Sequence, residues 1–320
     1  MRQQAAAAIG NCTPRVITHL AQQLDAPELT TQEAALQLLE TLPTAAVEPL
    51  LEVLGDPAWS VAAQAAWALG DVGARAAVPL SLLEAEEEVE TRAAEGLERI
   101  RQPMILPLLS TLTHARPEVR RQAARALGKI KAPAAVHPLM AALQESDRDV
   151  RWQAAQALGE LSEATAIRPL AAALQDREPL VREHALLALG KLKAQVAMAE
   201  MGQRLQDINP FVRRAAARVL GSLGTTDVGS MLVASLQDRD PVVRRHAIEG
   251  LGRLGEAAAV APIVEASQDT NVHVRRSAVE ALVQLRASQA LPALEERAER
   301  DDDQEVRRTA REGVEKLRDR

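Results

Sequence analysis

Apolar positions spaced four apart recur in ten-residue blocks along the whole chain. VRRQAARALG (119–128), VRWQAAQALG (150–159), VREHALLALG (181–190), VRRAAARVLG (212–221) and VRRHAIEGLG (243–252) begin 31 residues apart. VRRSAVEALV (274–283) keeps the step, VRRTAREGVE begins one residue late at 306, and earlier blocks start at 89, 61, 31 and 1. Numbering each block from its first residue, position 5 is alanine in all eleven (Ala5, Ala123, Ala185 and Ala310 among them), and position 9 is Leu, Ile or Val. Positions 1, 5 and 9 share one helical face, so every block predicts an α-helix. An alanine that never enlarges predicts close approach of two backbones there. Glycine at position 10 or just after reads as a helix terminator.

A second apolar stretch precedes each block, as in 134–143, 164–174, 226–236 and 258–267. Pro49, Pro107, Pro138, Pro169 and Pro262 all sit 12 residues before position 1. That is near the start of a first helix, where a missing N–H costs least. Short links such as QDREP, QDINP and QDRDP join it to the second helix. The unit is helix, tight turn, helix, and neighbouring units must stack to bury their apolar faces. One region, 76–100, is irregular: Val61 and Val89 are only 28 residues apart, and Glu84, Glu86, Glu87 and Glu88 crowd the shortened turn. A kink is expected there. The chain opens inside a second helix, which reads as a half-repeat cap or as the loss of a preceding helix. Residues 305–320, with Arg311 at an otherwise apolar position, read as a polar C-terminal cap.

Composition narrows the class. With 47% hydrophobic and 26% charged residues, disorder is excluded. Trp59, Trp67, Trp152 and Phe211 are the only aromatic residues in the 320, so the core must be built from Ala, Leu and Val. A single cysteine, Cys12, excludes a disulfide framework and a multi-cysteine metal site. No apolar run approaches the roughly 18 residues of a membrane span. The N-terminus lacks a secretory pattern, and the expected location is cytoplasmic.

The pattern Asp-x₄-Val-Arg-x₂-Ala-x₃-Leu-Gly, as in Asp176, Val181, Arg182, Ala185, Leu189 and Gly190, resembles the short HEAT-like repeats of phycobilisome lyases and their relatives. The resemblance covers residues 1–320. It implies an all-α, right-handed α-α superhelix, a HEAT-like solenoid of about ten helix pairs plus an N-terminal half-repeat. At roughly 10 Å per repeat this would be a single arc near 100 Å long. The family includes chaperone-like lyases that attach bilins to antenna proteins, and many members look like protein-binding scaffolds. Fold alone does not choose between them.

Arg120, Arg151, Arg182, Arg213, Arg244, Arg275 and Arg307 occupy position 2, while Asp56, Asp176, Asp207, Asp238, Asp269 and Asp301 lie at the preceding turns. Because the two types travel in register, an Arg–Asp ladder between repeats is expected rather than a nucleic-acid stripe. The net charge of −6 also weighs against nucleic acid. Acidic residues dominate the first hundred positions, while basic residues slightly outnumber acidic ones in the remainder. Such polarity would steer a partner of matching dipole.

Packing leaves positions 3, 7 and 11 unused, and in HEAT-like proteins this helix is expected to line the concave groove. The candidate partner-binding residues are therefore Trp67, Arg121, Arg125, Lys129, Trp152, Leu187, Arg214 and Arg218. Trp and Arg are the types enriched at binding hot spots. Catalytic candidates are few. His184 and His246 stand two repeats apart, about 20 Å, too far to share a metal. Glu183–His184 reverses the His-Glu order that HEAT-type metal hydroxylases use. Cys12 has no basic neighbour closer than Arg15 to activate it.

No metal or cofactor is expected. The reading is a non-enzymatic scaffold holding a protein partner, with neither nucleic acid nor membrane as target. The alternative is a bilin lyase or bilin-handling chaperone with a phycobiliprotein subunit as partner. There the propionates would meet Arg121, Arg125, Arg214 or Arg218, and a Trp would stack on the pyrroles.

Overall fold

Residues 102–318 are described by a computed structural model. The chain divides into two compact units, 1–169 and 170–320. Every regular element among the described residues is helical. The first unit contains α1 (102–111), α2 (Pro117–Ile130), α3 (Val136–Ala142) and α4 (Arg148–Leu161), and the unit boundary falls within α5 (Ile167–Ala173). The second unit continues with α6 (Pro179–Lys191), α7 (Met198–Gln203), α8 (Pro210–Leu223) and α9 (Gly229–Ser235). It ends with α10 (Pro241–Leu254), α11 (Val260–Ala266), α12 (Val272–Gln284), α13 (Leu291–Arg300) and α14 (Gln304–Arg318).

Long helices stack on long helices: α2 on α4 in the first unit, and α6, α8, α10, α12 and α14 in succession in the second. Short helices pack on the long helix that follows, as α3 does on α4, α7 on α8, α9 on α10, α11 on α12 and α13 on α14. Positions 1, 5 and 9 form the core seam. Val181, Ala185 and Leu189, like Val212, Ala216 and Leu220, are wholly buried. Each large apolar side chain so removed from water contributes about 1.5–3 kcal/mol. The repeated helix-pair architecture read from the sequence is present throughout the described residues. Copies starting at 1, 31, 61 and 89, the irregular region 76–100, Cys12, Trp59 and Trp67 lie outside them.

Two local expectations are corrected, and the helix starts are sharpened. Long helices begin two residues before position 1. Pro117, Pro179, Pro210 and Pro241 take the first helical position, and Asp147, Asn209, Asp240 and Asn271 accept hydrogen bonds from first-turn amides. Proline suits a position whose N–H has no helical partner, and the Asp and Asn side chains satisfy one or two of the remaining donors.

Nor do the position-10 glycines end helices. Gly128, Gly190, Gly221 and Gly252 lie inside α2, α6, α8 and α10. The helix ends instead fall at left-handed residues: Lys131, Ser162, Gly224 and Gly255. What requires glycine at position 10 is the neighbouring helix. A Cβ on Gly128 would lie 2.7 Å from both Cα and Cβ of Ala157, and one on Gly221 would lie 2.7 Å from Cα of Gly250. The closest approach of long helices is thus between position 10 and position 8 of the next, with Ala185 and its equivalents in the buried seam beside it.

Pro107, expected near a helix start, sits inside α1, which is already helical at 102. Met104 and Leu108, one turn apart, are both wholly buried. Burial of that face offsets the hydrogen bond a mid-helix proline removes.

The Arg–Asp ladder sets the register between repeats. Arg182 Nε and Nη2 donate to Asp207 Oδ2 and Oδ1 at 2.8 and 2.6 Å, a bidentate pair between buried side chains. Arg213–Asp238, Arg244–Asp269 and Arg275–Asp301 repeat it. In the first unit Glu145 takes the aspartate's place and pairs with Arg120 at 3.2 Å. Each arginine also ties down its own turn: Arg213 Nη1 donates to the carbonyls of Asp207 and Ile208 at 3.0 and 3.3 Å. The aspartate in turn accepts the amide two residues on, as Asp207 does from Asn209 at 2.9 Å. With the fork, the turn carbonyls and the amide all engaged, the ionised carboxylate keeps partners in place of water.

Candidate functional site

The ladder occupies position 2 and the core takes 1, 5, 6, 8 and 9, so the third stripe of each long helix remains. Arg121, Arg125, Lys129, Trp152, Gln156, Glu160, Glu183, Leu187 and Arg214 are half-buried there, and Lys191 and Arg218 are exposed. This is the stripe the sequence singled out.

In the first unit it forms one cluster. Trp152 Nε1 donates to Asp149 Oδ1 at 3.0 Å, while Arg121 approaches Asp149 Oδ2 at 3.6 Å from the preceding repeat. Asp149 was missed in the sequence because it lies before position 1. Its placement three residues before Trp152 on one helix was the available signal. Arg125 and Lys129 line an adjoining depression of about 330 Å³ with Lys131, Gln153, Gln156 and Glu160. Gln153 is buried and donates to Gln156 Oε1 at 3.2 Å, which fixes the depression's floor.

In the second unit the predicted residues are not equivalent. Arg214 is committed within the chain. Its Nη2 and Nε donate to Asp240 Oδ2 at 2.6 and 3.0 Å, and its guanidinium carbon lies 5.0 Å from the Phe211 ring centroid. Burial would push the Asp240 carboxyl up, but hydrogen bonds from Arg214 and the Val242 amide and the Arg214 charge hold it below the ordinary range. Arg218 stays exposed and lends its charge to two neighbouring repeats. Burial raises the Glu183 carboxyl against the pull of Arg218. Burial lowers the His246 imidazole, with Arg245 and Arg218 assisting and Glu249, 3.2 Å from Nδ1, opposing. His184 is likewise lowered by burial and then by Lys191. Leu187 is half-buried on the same stripe.

Among the described residues no group of three His, Cys, Asp or Glu could hold a metal ion. No described helix is long and apolar enough to cross a membrane.

A family model described as HEAT repeats matches residues 17–98, 76–159, 105–179, 136–221, 167–239 and 229–315. The chain belongs to the HEAT-repeat family. Repeats of this family commonly mediate protein interactions. The fold of this HEAT-repeat chain is similar to that of YibA from Escherichia coli, with 17% identity, 91% of this chain and 98% of that chain covered, and a TM-score of 0.58. An engineered protein has 19% identity over 95% of this chain and 99% of its own, with a TM-score of 0.47. The complex of CpcE and CpcF of phycocyanin lyase from Nostoc sp. has 24% identity over 84% of this chain and 94% of its own, with a TM-score of 0.45. No curated protein matches the chain.

Proposed function

We propose that this HEAT-repeat protein is a non-enzymatic scaffold that holds a protein partner on the exposed stripe of its long helices. The anchors are Trp152, Arg121, Arg125 and Lys129 in the first unit, and Leu187 and Arg218 in the second. Arg214 contributes by holding the next repeat's turn through Asp240 rather than by contact. One observation carries the reading: Trp152 stands half-buried on the stripe, oriented by Asp149, next to a cationic depression. An aromatic ring with its polar edge already satisfied offers area to a partner at little entropic cost.

The finer kinship with the phycobilisome lyases rests on the repeat pattern. It would place bilin propionates on the same arginines. Arg214 already pairs with Asp240, and no ring lines the depression beside Arg125. Those two features favour the scaffold.

The test is affinity capture of the tagged protein from its source lysate, with visible absorbance of the eluate recorded. Recovered proteins are then titrated against wild type and Trp152→Ala. A colourless stoichiometric partner that binds Trp152→Ala at least as well as wild type would refute the assignment of this face. A coloured eluate would favour bilin handling.

A further inference from the structure

The second unit exposes apolar side chains on a different surface, the edge formed by the turns between short and long helices. Ile208 is 84% exposed, Phe211 56% and Leu180 41%. Leu180 and Phe211 are equivalent residues of successive repeats, each following the proline that opens α6 or α8. Val242, half-buried, takes that place in α10. Ile208 sits at the tip of the turn before α8. The chain's only phenylalanine is therefore spent on solvent rather than on a core otherwise made of Ala, Leu and Val. Single exposed apolar residues are commonplace, but a row at one register on adjacent repeats is a patch.

The charge around the patch has one sign facing outward. Asp207 and Asp238 are turned into the ladder, and Asp240 is held by Arg214 and caps α10. Exposed Arg239 reaches back across the patch, its Nη2 3.4 Å from the Ile208 carbonyl oxygen. Exposed Arg177 holds the same turn-tip place one repeat earlier, beside half-buried Glu178. Arg214 lies over the Phe211 ring. Three long helices also direct their N-terminal, partially positive ends to this edge.

We propose that this edge binds an extended acidic segment of a partner protein carrying two apolar anchors three residues apart. Adjacent long helices pack at about 8–10 Å, and three residues of a polyproline II segment, one full turn that returns a side chain to the same face, cover about 9 Å, so the two anchors would meet neighbouring repeats. The intervening Asp or Glu side chains would face Arg239 and Arg177. This surface is separate from the long-helix stripe and does not depend on it.

The experiment uses the full chain and a fluorescein-labelled peptide with Leu and Phe three apart among Asp and Glu. A lysine-for-acid version and a version with Leu and Phe adjacent serve as controls. The acidic, correctly spaced peptide should bind best. Phe211→Ser combined with Ile208→Ser should weaken it about tenfold, as loss of a hot-spot anchor does. Arg239→Glu should weaken it and restore binding of the lysine peptide. Trp152→Ala should leave it unchanged, which separates this edge from the stripe. Thermal melts of the Phe211, Ile208 and Arg239 variants should match wild type, since those three side chains are exposed. Absence of binding, equal binding of all three peptides, or sensitivity to Trp152→Ala alone would overturn the proposal. So would sedimentation showing that the Phe211 and Ile208 changes abolish self-association, because a second copy would then be the occupant.

Discussion

Gly221 in α8 and Gly250 in α10 meet backbone to backbone, with the site of a Cβ on Gly221 only 2.7 Å from the Gly250 Cα. Position 10 of one long helix and position 8 of the next are small because these helices touch through their main chains. Gly221→Ala should therefore destabilise by about 1–3 kcal/mol, although alanine in an open helix interior would gain about 1 kcal/mol. Gly202 provides the contrast. A Cβ there would meet only the Sδ of Met231 at 2.7 Å and its Cε at 3.4 Å, both on a flexible side chain. Gly202→Ala should be neutral or slightly stabilising. Thermal melts of the two variants decide the matter, and equal effects would mean the contact at Gly221 yields as easily as a methionine tail.

Ala185 is wholly buried in the α6 seam between Val181 and Leu189, both also wholly buried. Ala185→Leu adds three carbons to this buried seam and should cost about 1–3 kcal/mol. Urea unfolding would measure it. A neutral result would remove position 5 from the close-packed interface.

The ladder predicts unequal costs for charges that look alike in sequence. Asp207→Ala would leave buried Arg182 without its carboxylate, at a cost of about 3 kcal/mol. Arg214→Ala breaks a pair whose arginine is half exposed, and should cost about 1 kcal/mol or less. Paired urea titrations would show the ranking. Equal losses would mean that burial does not distinguish the two pairs.

Acid should unfold the protein in two steps. Burial, then the charge of Lys191, lowers the His184 imidazole below its ordinary value. Burial also lowers His246, although Glu249 opposes it. A depressed folded value means the stabilising contribution is full above the unfolded value, about 6.5, and fades as pH falls below it. Asp207, Asp269 and Asp301 follow the same sign at lower pH. Burial would raise each, but the hydrogen bonds and charges of their ladder arginines, with amide donors, hold each below the carboxylate range. Their contribution is full above about 3.9 and is lost as pH falls below that value through the depressed folded range. Melting temperature should decline gently below about pH 6.5 and steeply below about pH 4. His184→Gln with His246→Gln should erase only the upper decline.

The helix-pair repeat was legible because burial demands a similar residue at the same register: alanine at position 5 in every block, valine at position 1 in all but the first two, and Leu, Ile or Val at position 9. The ladder was legible for a similar reason, since an arginine that needs a carboxylate travels with it. Gly221 shows where pattern reading failed. Helix termination and close helix approach both call for glycine, and only the position of the neighbouring backbone separates them. Asp149 and Phe211 were hidden differently. Each lies in the turn or first helical residues, where the repeat imposes no type, so their roles depend on what stands beside them in space.

Trp152 offers the most direct test of the candidate face. Its Nε1 is bonded to Asp149, which also draws in Arg121, so the ring is held in one orientation while remaining half exposed. Trp152→Ala should therefore lower affinity for a captured partner by about tenfold or more while shifting the melting temperature little. Asp149→Ala separates orientation from contact. It leaves the ring present but releases it and Arg121, and should produce a smaller loss that Trp152→Ala does not add to. Additive losses would place Asp149 in direct contact with the partner. A large fall in melting temperature for Trp152→Ala would make the ring a packing element and leave Arg125 and Lys129 as the face to examine.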